Sequence, residues 1–232
     1  MRIVFLVTLV IALSLAALTA FAGDEPGIED NSFLIEEAYN QDPRVVQHIF
    51  TYVRSRDGSW AGSFTQEWPM GSQKNQISYT LGFDGRDLDV AEINYRYQLT
   101  GNDSSHIAIA PRLSYVLPVN GGHSGVDAML PISVIVTPRF YTHYNLGVTH
   151  AGDTRTTAGF SAIYAVKPKV HAMLEALVQR EHETTITISP GVRWAYDFKS
   201  GLQIVPGIAV PVTVRPTHER AVFLYLSFEH PY

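Results

Sequence analysis

Apolar and polar residues alternate one by one through segment after segment of this chain. Between Asn75 and Phe83, Ile77, Tyr79, Leu81 and Phe83 share one phase, and Gln76, Ser78, Thr80 and Gly82 share the other. A strand sends successive side chains to opposite faces, so such a segment has one greasy face and one wet face. The contrast recurs almost to the C-terminus with little helix-period sequence between. That pattern predicts an all-β fold, a transmembrane antiparallel up-and-down β-barrel of about twelve strands.

The N-terminus carries the signature of an export signal. Met1 and Arg2 form a minimal positive region, Ile3 to Leu18 an apolar one, and Ala20-Phe21-Ala22 a small-residue cleavage site. Residues 1–22 therefore read as a cleaved signal peptide, 23–42 as a lead-in segment and 43–232 as the barrel. Beyond the signal no run reaches the ~20 apolar residues of a spanning helix. A membrane-embedded mature chain must then cross as strands, because in lipid every backbone polar group needs an internal partner. The chain has no cysteine, which excludes thiolate chemistry and a disulfide framework. Its net charge of -5 excludes a nucleic-acid footprint.

Twelve strands are expected near 44–55, 59–68, 75–84, 88–99, 105–117, 126–137, 139–149, 156–166, 169–180, 185–198, 201–214 and 220–230. Turn chemistry fills the gaps, as in Arg56-Asp57-Gly58-Ser59, Asp84-Gly85-Arg86-Asp87 and Gly101-Asn102-Asp103. The phase of the first strand is ambiguous, since Val45 and Val46 fall on opposite faces. Within the lead-in, Asn31 to Asn40 fits a short helical turn. Pro111, Pro131, Pro190, Pro206 and Pro211 fall inside proposed strands, where each deletes a ladder donor. Three of them repeat a context, Ile109-Ala-Pro111, Ile188-Ser-Pro190-Gly and Ile204-Val-Pro206-Gly. These sites read as bulges or bends, or as breaks that split strands and make the count ten or fourteen.

Aromatic placement favours a barrel over a soluble sandwich. Trp60 and Trp68 share an outward phase about 26 Å apart at ~3.3 Å per residue, close to the ~25 Å height of an apolar band. With the N-terminus on the periplasmic side, Trp68, Tyr97, Tyr164, Trp194, Tyr196 and Phe228 gather near one rim. These and Trp60 form the expected aromatic girdle. The inward phase collects charges of both signs: Glu67, Glu92, Arg96, Arg112, Asp127, Arg139, His143, His171, Glu175, Arg193 and Asp197. Such a lining suits passive passage of small solutes, and equally a lumen filled by its own ion pairs.

No catalytic residues, metal site or cofactor are expected. His171 and Glu175 share a strand phase, but no H-x-x-x-H pair or tight carboxylate cluster occurs. His123-Ser124, in the loop Asn120-Gly-Gly-His-Ser-Gly125, offers a lipid-modifying enzyme only adjacent residues that point apart. A structural barrel without transport is the other alternative. The short expected turns leave little surface for a receptor or adhesin.

The lead-in Asn31-Ser-Phe-Leu-Ile-Glu-Glu-Ala-Tyr-Asn-Gln41, the strand Val45-Val-Gln-His-Ile49 and the ending Ser227-Phe-Glu-His-Pro-Tyr232 resemble Gram-negative outer-membrane proteins related to the phenol-degradation-pathway outer-membrane channel family. The resemblance implies an outer-membrane barrel acting as a transporter or pore. The alternating C-terminal strand, closing on an aromatic residue, is similar to the strand that the barrel-assembly machinery reads. The implied partners are outer-membrane lipid, that machinery and small solutes.

Overall fold

The structure, a computed structural model, describes residues 31–101 and 106–232. The expected signal peptide, the start of the lead-in and the Asn102-Asp103 turn lie outside the described residues. Fifteen strand segments follow one another: β1(Val45–Ser55), β2(Trp60–Met70), β3(Ser72–Asp84), β4(Asp87–Tyr97), β5(Ile107–Ile109), β6(Arg112–Pro118), β7(Gly125–Thr137), β8(Phe140–Ala151), β9(Asp153–Lys167), β10(Val170–Arg180), β11(Thr184–Trp194), β12(Tyr196–Asp197), β13(Gln203–Ala209), β14(Val212–Arg215) and β15(Glu219–Pro231). β5 with β6, β11 with β12 and β13 with β14 are halves of interrupted staves, so the segments make twelve staves. Neighbouring staves pair antiparallel. β15 pairs with the whole of β1, from Val45↔Pro231 to Ser55↔Ala221, and closes the barrel.

Closure explains the outward phase. Ile93, Leu99, Leu113, Tyr115, Leu146, Val148, Leu174, Ile208 and Leu224 are all exposed on the outer face. A soluble protein rarely carries apolar surface on that scale. A lipid-facing barrel requires it. The first strand resolves with Gln47, Ile49 and Val53 inward and His48, Phe50 and Tyr52 outward, because Gln47 and Ile49 are buried while Phe50 is exposed.

The interrupted staves are the answer to the prolines. Pro111 lies in the gap between β5 and β6, and the register with β7 is the same on both sides, Ile109↔Ile132 and Arg112↔Met129. Pro131 of β7 faces that gap, its carbonyl accepting from Ala110 N at 3.2 Å. Pro190 of β11 likewise faces the gap holding Pro211, with Val210 N donating to its carbonyl at 2.9 Å. β13 carries Pro206 next to Gly207, which is where its pairing with β11 stops. Pairing resumes at Tyr196↔Ile204, beyond the gap at Ala195. The missing donors are thus gathered into three shared gaps. The expected bulges fall elsewhere, at Pro69/Met70, Gly82/Phe83, Ile135/Thr137, Val170/His171 and Ile186/Thr187, and none coincides with the five prolines.

Short turns join the staves at both ends. Gly58 and Gly85 adopt φ of 92° and 57°, the left-handed region where a side chain is strained. In the first of these turns the Ser59 N–H and Oγ both donate to Asp57 Oδ1, at 2.9 and 2.7 Å. These bonds hold the exposed Asp57 carboxyl below its usual range. β1 begins and β15 finishes at one end of the barrel, the terminal end, and the opposite end is the distal one.

Candidate functional site

The lead-in is the centre of the site, and it is not helical. Residues 31–42 form an irregular, extended strap inside the barrel. Ile35 is 1% exposed and Ala38 0%. A backbone threaded into a lumen needs partners for its polar groups, and the wall supplies them one stave at a time. Leu34 N donates to Glu175 at 2.9 Å, Glu36 N to Asn145 Oδ1 at 2.7 Å, Ala38 N to Ser133 Oγ at 2.8 Å and Asn40 N to Gln98 Oε1 at 3.0 Å. Gln41 N follows, donating to Gln76 at 2.7 Å. Alternate strap amides therefore face the wall while the strap runs past β10, β8, β7, β4 and β3, against the order of the chain. Strap carbonyls are met too: Arg193 donates to Asn31 O at 2.7 Å, and Arg96 to the carbonyls of Glu37 and Tyr39 and to Asn40 Oδ1.

Small wall residues make room for strap side chains. A Cβ on Gly159 would collide with Ile35, and one on Gly191 or Gly207 with the Phe33 ring. Phe33 packs with Phe223 and Tyr225, ring centroids 5.5 and 5.6 Å away, in a cluster with Ile49, Tyr141, Ile163, Met173 and Val205. Ala38 packs on Ala108 and Ala110. The inner face is therefore not uniformly wet. Its terminal half holds an apolar seat for the strap.

The expected lining residues divide into three groups. Arg96, Glu175 and Arg193 bind the strap directly, and His143 bonds Ser133, which receives Ala38 N. Glu67 lies 3.8 Å from Arg96. Glu92, Arg112 and Asp127 instead line a cavity of about 220 Å³ together with Glu36, Asn145, Arg155 and Gln179. Arg112 ties this cavity to the strap, with 2.9 Å contacts to both Glu36 and Asp127. Leu34 and Glu36 of the strap form its inner side, and Val116, Thr149 and Arg155 lie toward the distal end. Arg139 and Asp197 are corrections. Arg139 is exposed in the β7–β8 turn, and Asp197 is exposed at the terminal rim, paired with Lys169 and Gln203. Both lie at the terminal rim rather than within the lumen, Arg139 in a turn and Asp197 as the last residue of the two-residue β12.

Of the aromatics, Trp60 pairs with Arg54 near the distal turn of β1. Trp68, Tyr97, Tyr164, Trp194, Tyr196 and Phe228 all lie toward the terminal ends of their staves, and Tyr97, Tyr164 and Tyr196 are exposed. His123 and Ser124 are exposed in the β6–β7 loop. No group of three or more metal-ligating side chains occurs among the described residues. Sequence reasoning missed the strap's contacts and Asn145, Ser133, Gln98 and Gln76, whose only signal was polarity in the inward phase.

This architecture defines a twelve-stranded transmembrane β-barrel of the outer-membrane type, carrying an internal strap. The comparisons agree on the fold. The KdgM porin shares 11% identity over 80% of this chain and 99% of its own, with a TM-score of 0.63. An outer-membrane channel from Pseudomonas putida F1 shares 9% over 88% and 100%, also at 0.63. The NanC porin shares 9% over 79% and 98%, at 0.57. No family model and no curated protein matches the chain in sequence.

Proposed function

We propose that this protein is a passive outer-membrane channel for small polar solutes, narrowed by its own N-terminal strap. The observation that carries the reading is the charged cavity above the strap, where Glu36, Glu92 and Asp127 face Arg112 and Arg155. The fold shared with porins supports it. Charges of both signs wet a lumen, and their fixed positions create a transverse field that orients dipolar solutes. One neighbour was solved in complex with oligogalacturonate, a polyanion. With three carboxylates against two arginines around the cavity, small neutral or dipolar solutes suit this chain better.

The N-terminal 22 residues are removed on export in this reading, and the alternating C-terminal strand is recognised by the assembly machinery. Arg96, Arg112, Glu92, Asp127, Glu175 and Arg193 line the path, Arg96, Glu175 and Arg193 through the strap they hold. The rim aromatics anchor the barrel at the lipid boundary. The resemblance to the phenol-degradation-pathway channel family belongs to the same reading.

A barrel with no transport role is the second reading, favoured by the burial of Ile35 and Ala38 within the lumen. Planar-bilayer recordings of the refolded chain separate the two. Discrete steps whose ion selectivity shifts in Arg112→Ala support the channel, and a sealed bilayer at high protein load contradicts it.

A further inference from the structure

The barrel closes along one seam, between its first and last strands. On the inner side, Gln47 Nε2 donates to Glu229 Oε1 across that seam at 2.8 Å. On the outer side, His48 of β1 and His230 of β15 meet. The register pairs His48 with Phe228 and Val46 with His230, so the two imidazoles are diagonal neighbours on one face, within reach of each other. Their Nε2 atoms are 3.3 Å apart, and the rings meet edge to edge through these nitrogens, their centroids 5.4 Å apart and their planes 21° from parallel. Phe64 stacks on the other side of His48 at 6.1 Å.

We propose that His48 and His230 form a two-histidine site for a divalent transition-metal cation, Zn²⁺ or Cu²⁺, that clips the first strand to the last. Nitrogens bound to one tetrahedral metal at ~2.0–2.1 Å lie about 3.3–3.4 Å apart, the spacing already present. Imidazole nitrogen suits zinc and copper over hard cations. His230 is also oriented for the task. Its Nδ1 lies 3.2 Å from the Pro231 carbonyl, and donating there leaves the Nε2 lone pair free, the usual outer-shell arrangement of a ligating histidine. With His230 Nδ1–H on that carbonyl, the metal-free pair has His48 donating from Nε2 to the His230 Nε2 lone pair. Metal binding moves that hydrogen to His48 Nδ1, with no net proton release. Two positions on the metal remain for water at the terminal rim. The site is independent of solute passage, and a separation of 182 residues hides it from any spacing motif.

The test is calorimetric titration of the folded full chain in detergent with Zn²⁺ and with Cu²⁺. The expected result is one site per chain, weakened at least tenfold in His48→Ala and in His230→Ala and unchanged in His123→Ala and His182→Ala. The Cu²⁺ form should show hyperfine coupling to two nitrogens. Because the clip spans the seam, saturating metal should raise the heat-modifiability midpoint of the unmodified protein by roughly 5 °C, and of neither seam variant. Unaltered binding in both seam variants overturns the proposal, as does a midpoint that metal leaves in place. The metal-free and metal-loaded midpoints of the unmodified chain decide the matter even where a variant fails to fold.

Discussion

Arg96 Nε donates to Asn40 Oδ1 at 2.8 Å inside the barrel, joining a stave to the strap that lies across the lumen. The same guanidinium reaches the carbonyls of Glu37 and Tyr39. One buried cation therefore holds two backbone carbonyls and one side-chain amide of the strap, all within residues 37–40. An arginine fork suits this task because its donors are rigidly arranged.

Arg96→Ala removes all of these bonds and leaves Glu67 without its nearby cation. Hydrogen bonds to a charged group contribute about 1.5–3 kcal/mol each, so the strap should loosen while the ladder of β4 stays intact. The expected outcome is a higher single-channel conductance with heat-modifiable gel mobility retained. Unchanged conductance argues against strap control of the lumen.

Phe33 tests the apolar half of the anchorage. Phe33→Ala should cost about 3–5 kcal/mol of strap docking, and Gly207→Leu should expel the same ring by filling its seat. Hydrogen exchange of amides 33–38 measures both. Faster exchange confined to the strap is expected, with the ladder of β13 and β15 still protected.

Arg112 bridges Glu36 and Asp127. Its loss leaves two carboxylates facing each other in a partly enclosed space, and breaking such a pair costs about 3–5 kcal/mol when fully buried. This site is less enclosed, so a smaller loss of stability is expected in Arg112→Ala. Reversal potentials across a salt gradient should move toward cation preference.

The Asp57 turn gives a pH signature outside the membrane-spanning segments. Its carboxyl titrates below the usual range because Ser59 donates to it twice. A depressed carboxylate stabilises the turn above its unfolded pKa, and that contribution is lost as pH falls through the folded value. An NMR titration should therefore show Asp57 Cγ moving at lower pH than a free aspartate. Ser59→Ala should raise that midpoint.

The staves were legible because lipid imposes a two-residue period on every one of them. The expected strand at 44–55 matches Val45–Ser55, and 169–180 matches Val170–Arg180. The prolines read as bulges or bends, or else as breaks that split strands, and the breaks are what the structure has. Their pairing across shared gaps depends on register between staves, and no single segment carries that information. The strap was hidden for a related reason. Its amides bond residues up to 141 positions away, and Leu34, Glu37 and Ala38 mimic helical spacing. Gly191 and Gly207, met in the sequence as a repeated Pro-Gly, shape the seat of Phe33. A glycine that yields space to a distant ring has no local signature.

The central claim is that the N-terminal strap lies inside the closed barrel, and the absence of native cysteine makes a direct test clean. Ser32 Oγ and Ser161 Oγ are 2.9 Å apart, so Ser32→Cys with Ser161→Cys places two thiols within bonding reach in a chain that holds no others. Mass spectrometry of the folded, oxidised double variant should find the disulfide linking the strap to β9 in nearly every molecule. Two free thiols that both react with maleimide in the folded barrel would contradict the account.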